Sequence, residues 1–530
     1  MWVYNLKSKL LFCSIFIFAS ILSACNIGST QSSASLIRSG TLAISGLTES
    51  IPLGGSSAAT VTLMGSQGIT IPVQVNIVSN DVGIMKLTPE SCTLTSANNS
   101  CSVNLSGESL GTATFTISAN NYESKTSPPL TVVSMLAWLQ QFGSESQDFF
   151  SSDISVSPNV NIYITGAIYP TDSFLPGYFI ARYTESGSQL WTLQVGAESG
   201  DTEGNGVCTD ADGNVYITGD TDIGLSGQTF ESGDTNYFIA KYSESGLLWW
   251  SRQVGAGLGD TIGNGISVDS NGNAYIVGYT EGTLPGQTRV GRRDYFLVKY
   301  TESGLLLWTR QVGAESGSAE GNGVSTDANS NVYITGFTNE SLSGQAKVGL
   351  DDYFLAKYTE SGFLLWTRVG GAESGDTQGN GVSVGPDQRV YIVGFTDVGI
   401  SGQTQVGRSD YFLAQYSESG ALLWARQAGT KSLFTQGTGV SSDNAGNIYI
   451  TGFLSSSRYY ETSKSFIAKY MDNGSLLWSE QLGTESGASA GAGVAVDYTG
   501  NAYITGTTDI GLAGESQVGF SDYFIAKYYP

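Results

Sequence analysis

From residue 138 onward, apolar and polar positions alternate with period two in short runs, and helical periodicity is absent. One unit opens with Trp308-Thr309-Arg310-Gln311-Val312-Gly313. It continues through Val324-Ser325-Thr326-Asp327, Asn331-Val332-Tyr333-Ile334-Thr335-Gly336 and Asp352-Tyr353-Phe354-Leu355-Ala356-Lys357-Tyr358. The pattern predicts four strands per unit, labelled A (from Val324), B (from Asn331), C (from Asp352) and D (the Trp run). A short Asp-x-x-Gly/Ser-Asn turn joins A to B, and Thr/Ser-Glu-Ser-Gly joins C to D. In an antiparallel sheet these two tight turns share one end, so the longer B–C and D–A connections share the other.

The unit recurs. Trp138, Trp191, Trp250, Trp308, Trp366, Trp424 and Trp478 stand at intervals of 53 to 59 residues, each at the start of a near-copy. A repeat of this length cannot bury its own apolar face and must stack on its neighbours. The expected architecture is an all-β, seven-bladed β-propeller over residues 135–530. The array opens with a lone D-like strand, Ala137 to Phe142, and finishes after a C strand, Asp522 to Tyr528. Pairing the two completes the last blade and removes an exposed edge. A linear solenoid is the alternative, and it leaves that strand unpaired.

Residues 40–134 carry shorter alternating runs such as Ala59 to Leu63 and Thr112 to Ile117 between Gly, Ser and Asn turns, and predict a small β-sandwich. Asn98-Asn99 suits a hairpin turn between Cys92 and Cys101, which are expected to form a disulfide in an exported chain. The export signal is residues 1–24. Lys7 and Lys9 precede a thirteen-residue apolar run, Leu10 to Leu22, too short to span a bilayer. Residues 25–39 read as a flexible polar tether.

Charge and composition narrow the function. The chain has 530 residues, a formal charge of −23 and no histidine. An acidic surface repels nucleic acid and anionic lipid. Lacking histidine, the chain has no imidazole acid–base chemistry, no Ser-His-Asp triad and no His-ligated metal site.

Leu22-Ser23-Ala24-Cys25 resembles a bacterial lipobox, which implies lipid attachment at Cys25 and anchoring in the cell envelope, at the outer membrane or cell surface. Gly-Asn-x-Tyr-Ile-Thr-Gly followed by Asp-Tyr-Phe-Leu-Ala-Lys-Tyr-x-x-x-Gly resembles the repeat of the bacterial seven-bladed β-propeller (SBBP) repeat proteins over residues 138–530. That family implies export and no defined reaction. The segment 40–134 is similar to bacterial immunoglobulin-like domains. The sixth repeat departs most, with Lys464-Ser465-Phe466 in place of Asp-Tyr-Phe.

The remaining motifs each have a plain reading. The seven tryptophans are expected as blade-to-blade packing residues rather than a sugar platform, each burying about 150–250 Å². The Asp210, Asp269, Asp443 and Asp497 turns are explained by Asx hydrogen bonding. Calcium is the one metal left open there, and no cofactor is expected. Lys241, Lys299, Lys357, Lys469 and Lys527 on strand C, with Asp294, Asp352, Asp410 and Asp522 at its start, suggest surface ion pairs or an axial anion site. Cys208 is read as a small buried residue. Asn205, Asn264, Asn322 and Asn380, within Gly-Asn-Gly, fall just before strand A and ring the axis or cap turns.

The looped face is acidic, with Glu198, Asp201, Glu203, Asp260, Glu320 and Asp376 among its residues. The loops of the sixth repeat instead carry Lys431, Phe434, Arg458, Tyr459 and Tyr460, and Arg289, Arg292 and Arg293 form a second basic group. Repeat drift accounts for such a notch as well as a binding site does. The expected function is a lipid-anchored, non-catalytic binding or scaffolding platform for a protein or glycan. A carboxylate-dependent polysaccharide-active enzyme and a purely structural role are the alternatives. The enzyme reading needs a unique pair of carboxyl groups, and the repeated acids mark none out.

Overall fold

A computed structural model of the chain describes residues 40–530 except 66–71, 172–175, 197–199, 229, 231–233 and 458–461. The described residues are all-β, with no α-helix; the single helical element is a 3-10 turn, Leu225–Gly227.

Residues 136–528 form seven four-stranded antiparallel sheets in a propeller-like array. The fourth sheet is representative: A is Ala319–Thr326, B Val332–Thr338, C Asp352–Tyr358 and D Leu364–Gly370, paired in that order. The sixth sheet, despite its divergent sequence, is also complete, with A Phe434–Ser442, B Ile448–Ser455, C Ser463–Tyr470 and D Leu476–Leu482. The seventh holds Ser489–Val496, Ala502–Thr508 and Asp522–Tyr528, and its D position is filled by Leu136–Phe142. Phe142 lies opposite Tyr523 and Trp138 opposite Lys527. Strand A of the first sheet, Gln147–Val156, packs on strands A and B of the seventh.

Strands B and C are buried on both faces, because each sheet is covered by the next. In the fourth sheet every residue of C is buried. At six of the seven interfaces between sheets a pair of buried tyrosine hydroxyls meets, as in Tyr295–Tyr358 at 2.7 Å and Tyr353–Tyr416 at 2.6 Å. Between the sixth and seventh sheets Ser465 stands where the tyrosine would be, and the buried Tyr528 hydroxyl has no partner among the described residues.

The tryptophans sit on the outermost strand and are half-buried, except Trp478 at 2% exposure. Strand D has a neighbour on one edge only, which leaves these rings partly open to solvent. Their contacts still join sheet to sheet. Trp308 Nε1 donates to Glu360 O at 3.2 Å in the next C–D turn, and its ring lies against Gly362. That glycine has φ +80, and a Cβ there would stand 3.0 Å from the indole, so no other residue fits the turn.

The strand-C lysines are buried between sheets and reach neither the surface nor the axis, contrary to expectation. Lys299, 3% exposed, lies 2.9 Å from Glu360 in the next sheet, 3.9 Å from Asp269 in its own A–B turn and 5.0 Å from the Tyr275 ring. The aspartates that open strand C are not their partners. Asp294 accepts the N–H groups of Val290 and Gly291 at 2.8 and 2.7 Å and tethers the B–C loop.

Residues 41–133 form two four-stranded sheets and a three-stranded patch around one core that includes Val61, Leu63, Val75, Ile77, Leu105, Phe115 and Ile117. Cys92 and Cys101 are disulfide-bonded. The connection through Asn98-Asn99 is not a hairpin: Ser91–Leu94 pairs with Val73–Ser79 in one sheet, whereas Ser100–Gly107 belongs to the other. The bond therefore links the sheets. This unit meets the sixth sheet of the array. Glu480 accepts hydrogen bonds from the Met135 N–H and from Ser134 Oγ at 2.9 Å, at the position where sheets two to five carry Arg252, Arg310, Arg368 and Arg426. Those arginines each donate to the glycine carbonyl of the next C–D turn.

Candidate functional site

Three places on the array combine polar chemistry with a departure from the repeat. The first is axial. The Gly-Asn-Gly tripeptides lie inside strand A, not before it, and each Asn is the extra residue of a β-bulge. The bulge turns the side chain toward the next sheet. Asn205, Asn264, Asn322 and Asn380 donate Nδ2–H to Gly263, Gly321, Gly379 and Gly437 O at 2.8 to 3.1 Å, and Thr438 continues the series to Gly491 O at 2.9 Å. The glycines after them permit this closeness: a Cβ on Gly265 would stand 2.9 Å from Asn322 O. Together they surround an axial cavity of about 220 Å³.

The series is interrupted by Ala492 in the seventh sheet and by Ser152-Asp153 in the first. Asp153 occupies the position that is glycine in the other six sheets. Burial at the axis pushes its carboxyl up to about 7, against the pull of the Val207 and Ile154 N–H groups it accepts. Cys208 lies close enough for Asp153 to raise its thiol further above the usual range, although burial is the larger cause; the cysteine is half-buried, not fully buried.

The second place is the mouth of the second sheet. Glu203 on strand A (Thr202–Thr209) lies directly opposite Asp220 on strand B (Val215–Thr221). Sheets three to five put Ile262–Tyr279, Glu320–Phe337 and Gln378–Phe395 there. Burial, then the Glu203 charge, pushes Asp220 up to about 7, and Asn205 Nδ2 donates to it at 2.9 Å. The Tyr169 hydroxyl donates to Glu203. Two carboxyl groups thus face each other here, at a position where sheets three to five have at most one acid. Asp153 and Asp220 were the missed residues, and their signal was an acid at a position that the other six repeats fill with glycine, for Asp153, or with an aromatic ring, Ala167 or Thr507, for Asp220.

The third place is the looped end of the sixth sheet, where a cavity of about 260 Å³ lies between its B–C and D–A loops. Its wall includes Leu433, Leu454, Ser456, Lys464, Gln481 and Thr484. Of the residues expected to form a basic, aromatic notch here, Lys431 is exposed and Phe434 is half-buried under the Arg408 guanidinium, 5.5 Å away. Arg458, Tyr459 and Tyr460 lie outside the described residues, as do Cys25 and Glu198. In the second basic group, Arg293 bridges Glu281 of its own sheet and Glu320 of the next, and Arg289 donates to carbonyls of its own loop. The A–B turn aspartates are occupied locally: Asp269 accepts the N–H groups of Asn271 and Asn273, the Asn273 amide and the Tyr275 hydroxyl.

The family model for the SBBP beta-propeller repeat matches residues 190–225, 250–284, 307–342 and 477–513. An uncharacterized WD repeat-containing protein of Acanthamoeba polyphaga mimivirus is 24% identical over an alignment covering 52% of this chain and 26% of that protein. The chain thus spans about a quarter of that relative's length. Similar solved structures include domains 4 and 5 of the S-layer protein SbsC (21% identity, 18% of this chain and 51% of that one, TM-score 0.15). Others are polysaccharide lyase Uly1 (10%, 74% and 99%, 0.44) and the beta-propeller domain of the Trilobed protease from Pyrococcus furiosus (8%, 72% and 94%, 0.39). Residues 190–513 of this chain therefore include beta-propeller repeats of the SBBP type.

Proposed function

We propose that the seven sheets close into a seven-bladed propeller that serves as a non-catalytic binding platform. In this reading a lipid on Cys25 anchors the chain in the bacterial cell envelope, and residues 40–134 act as an immunoglobulin-like spacer. The observation that carries it is the cavity of about 260 Å³ at the looped end of the sixth blade, between its B–C and D–A loops. A platform predicts that the full chain, immobilised, captures a protein or glycan, and that Lys431→Ala, at an exposed position, weakens capture while leaving the melting temperature within about 2 °C, as surface changes do. Capture unchanged by this variant and by others across the looped face contradicts it.

One observation favours a second reading, an enzyme acting on polysaccharide. Opposite Glu203, Asp220 is pushed up to about 7 by burial and by the Glu203 charge, which places its carboxyl in the range that a general acid or base needs near neutral pH. That reading predicts turnover on a glycan library that Asp220→Asn lowers by about 10²-fold or more.

A further inference from the structure

Four sheets of the array share a small carboxylate cradle at the looped end. The aspartate that opens strand C (Asp294, Asp352, Asp410 or Asp522) accepts two successive backbone N–H groups of the preceding Val-Gly. The distances are 2.8 and 2.7 Å in the third sheet, 2.6 and 2.7 Å in the fourth, 2.8 and 2.7 Å in the fifth and 2.9 and 2.8 Å in the seventh. In three of them a strand-D glutamine adds its amide: Gln311 to Asp294 at 2.9 Å, Gln427 to Asp410 at 2.9 Å and Gln141 to Asp522 at 2.8 Å. A glycine two residues after the glutamine leaves room for the carboxylate. A Cβ on Gly313 would lie 1.9 Å from an Asp294 oxygen.

The sixth sheet keeps the strand-D part of these surroundings and replaces the occupant; the two positions that would supply the backbone N–H groups, Tyr460 and Glu461, lie outside the described residues. Gln481 and Gly483 stand in the glutamine and glycine positions, but Lys464 stands where the aspartate would be. Gln481 is exposed and lines the cavity, with no side-chain hydrogen bond to any described residue. Lys464 pairs with Glu485, whose side chain is 91% exposed. An ion pair with so exposed a partner is worth little in water and is readily exchanged. Leu433 and Leu454 supply an apolar wall, and Ser456 and Thr484 hydroxyl groups.

We infer that this cavity binds a small organic carboxylate, whose oxygens take the place of the aspartate that the other sheets provide internally. Lys464 contributes the charge and Gln481 the amide N–H, and the ligand displaces Glu485. At about 260 Å³ the cavity lies just under the size of drug-sized pockets, about 300–1,000 Å³, and suits a single ring or one residue of a chain. The inference rests on the platform reading and names the chemistry of one part of its looped face.

The test is calorimetric titration of the full chain with D-glucuronate and with N-acetylglycine, which separate a sugar acid from a peptide terminus, and with D-glucose as the neutral control. Binding of at least one carboxylate with one site per chain is expected, and none of glucose. Lys464→Asp, which returns the repeat's own residue, should abolish binding. Glu485→Gln should tighten it several-fold. Should Lys464→Asp fail to fold, Gln481→Leu at an exposed position should weaken binding about tenfold, as loss of a hydrogen bond to a charged group does. Glucose binding as well as glucuronate, retention of carboxylate binding by both variants, or no carboxylate binding at about 10 mM, where even a weak millimolar site would fill, overturns the assignment. If a macromolecular partner is still captured in that case, the platform stands without this pocket; if nothing is captured, both fall.

Discussion

Two aspartates carry the sharpest residue-level consequences. Asp153 and Asp220 are each held at about 7 against an ordinary 3.8, mainly by burial. The folded chain therefore binds their protons more tightly than the unfolded chain. The stability this provides is complete below about pH 4 and is lost as pH rises through 7, with each group contributing at most about 1.4 kcal/mol per pH unit. The melting temperature should fall between pH 5 and pH 8. Asp153→Asn combined with Asp220→Asn should flatten that fall and raise the value at pH 8. Thermal melts across this range check it, and an unchanged slope in the double variant contradicts the placement of both groups. Neither residue stood out in the sequence. Glu203 and Asp220 are seventeen positions apart and become neighbours only through the register of strands A and B. Asp153 is one more acid in a chain with 47 Asp and Glu until its glycine counterparts are superposed.

At the scale of the strand and sheet, the repeat was legible because period-two alternation and recurrent turns leave one arrangement for each unit. What the period could not convey was depth. The strand-C lysines look like surface charges in a one-dimensional pattern, yet all five are buried, and Lys241, Lys299, Lys357 and Lys527 pair with a glutamate of the next sheet. The tyrosine pairs were equally hidden, since Tyr353 and Tyr416 belong to successive repeats. These hydroxyl pairs tie neighbouring sheets together. Tyr353→Phe should leave the buried Tyr416 hydroxyl without its partner and cost about 1–3 kcal/mol. Denaturant titration measures it. The interface between sheets six and seven already has this defect at Tyr528, so Tyr528→Phe should be close to neutral in the same measurement. A large loss there contradicts the account of that interface.

For the whole molecule, the array depends on a strand contributed from the far end of the sequence. Leu136–Phe142 follows directly on the N-terminal unit and pairs with Asp522–Tyr528, so one segment fixes both the last sheet and the position of that unit through Glu480. In the proposed closed ring this pairing completes the wall around the axial cavity, whereas the Glu203–Asp220 pair and the Lys464 pocket are set by the strands and loops of single sheets. Hydrogen–deuterium exchange of the full chain tests it most directly. Closure predicts that peptides covering residues 136–142 are protected to the same degree as the outer strand 364–370 of the fourth sheet, opening only with the array. Exchange of 136–142 as fast as an unpaired linker, with 522–528 losing protection alongside it, would contradict the closed ring.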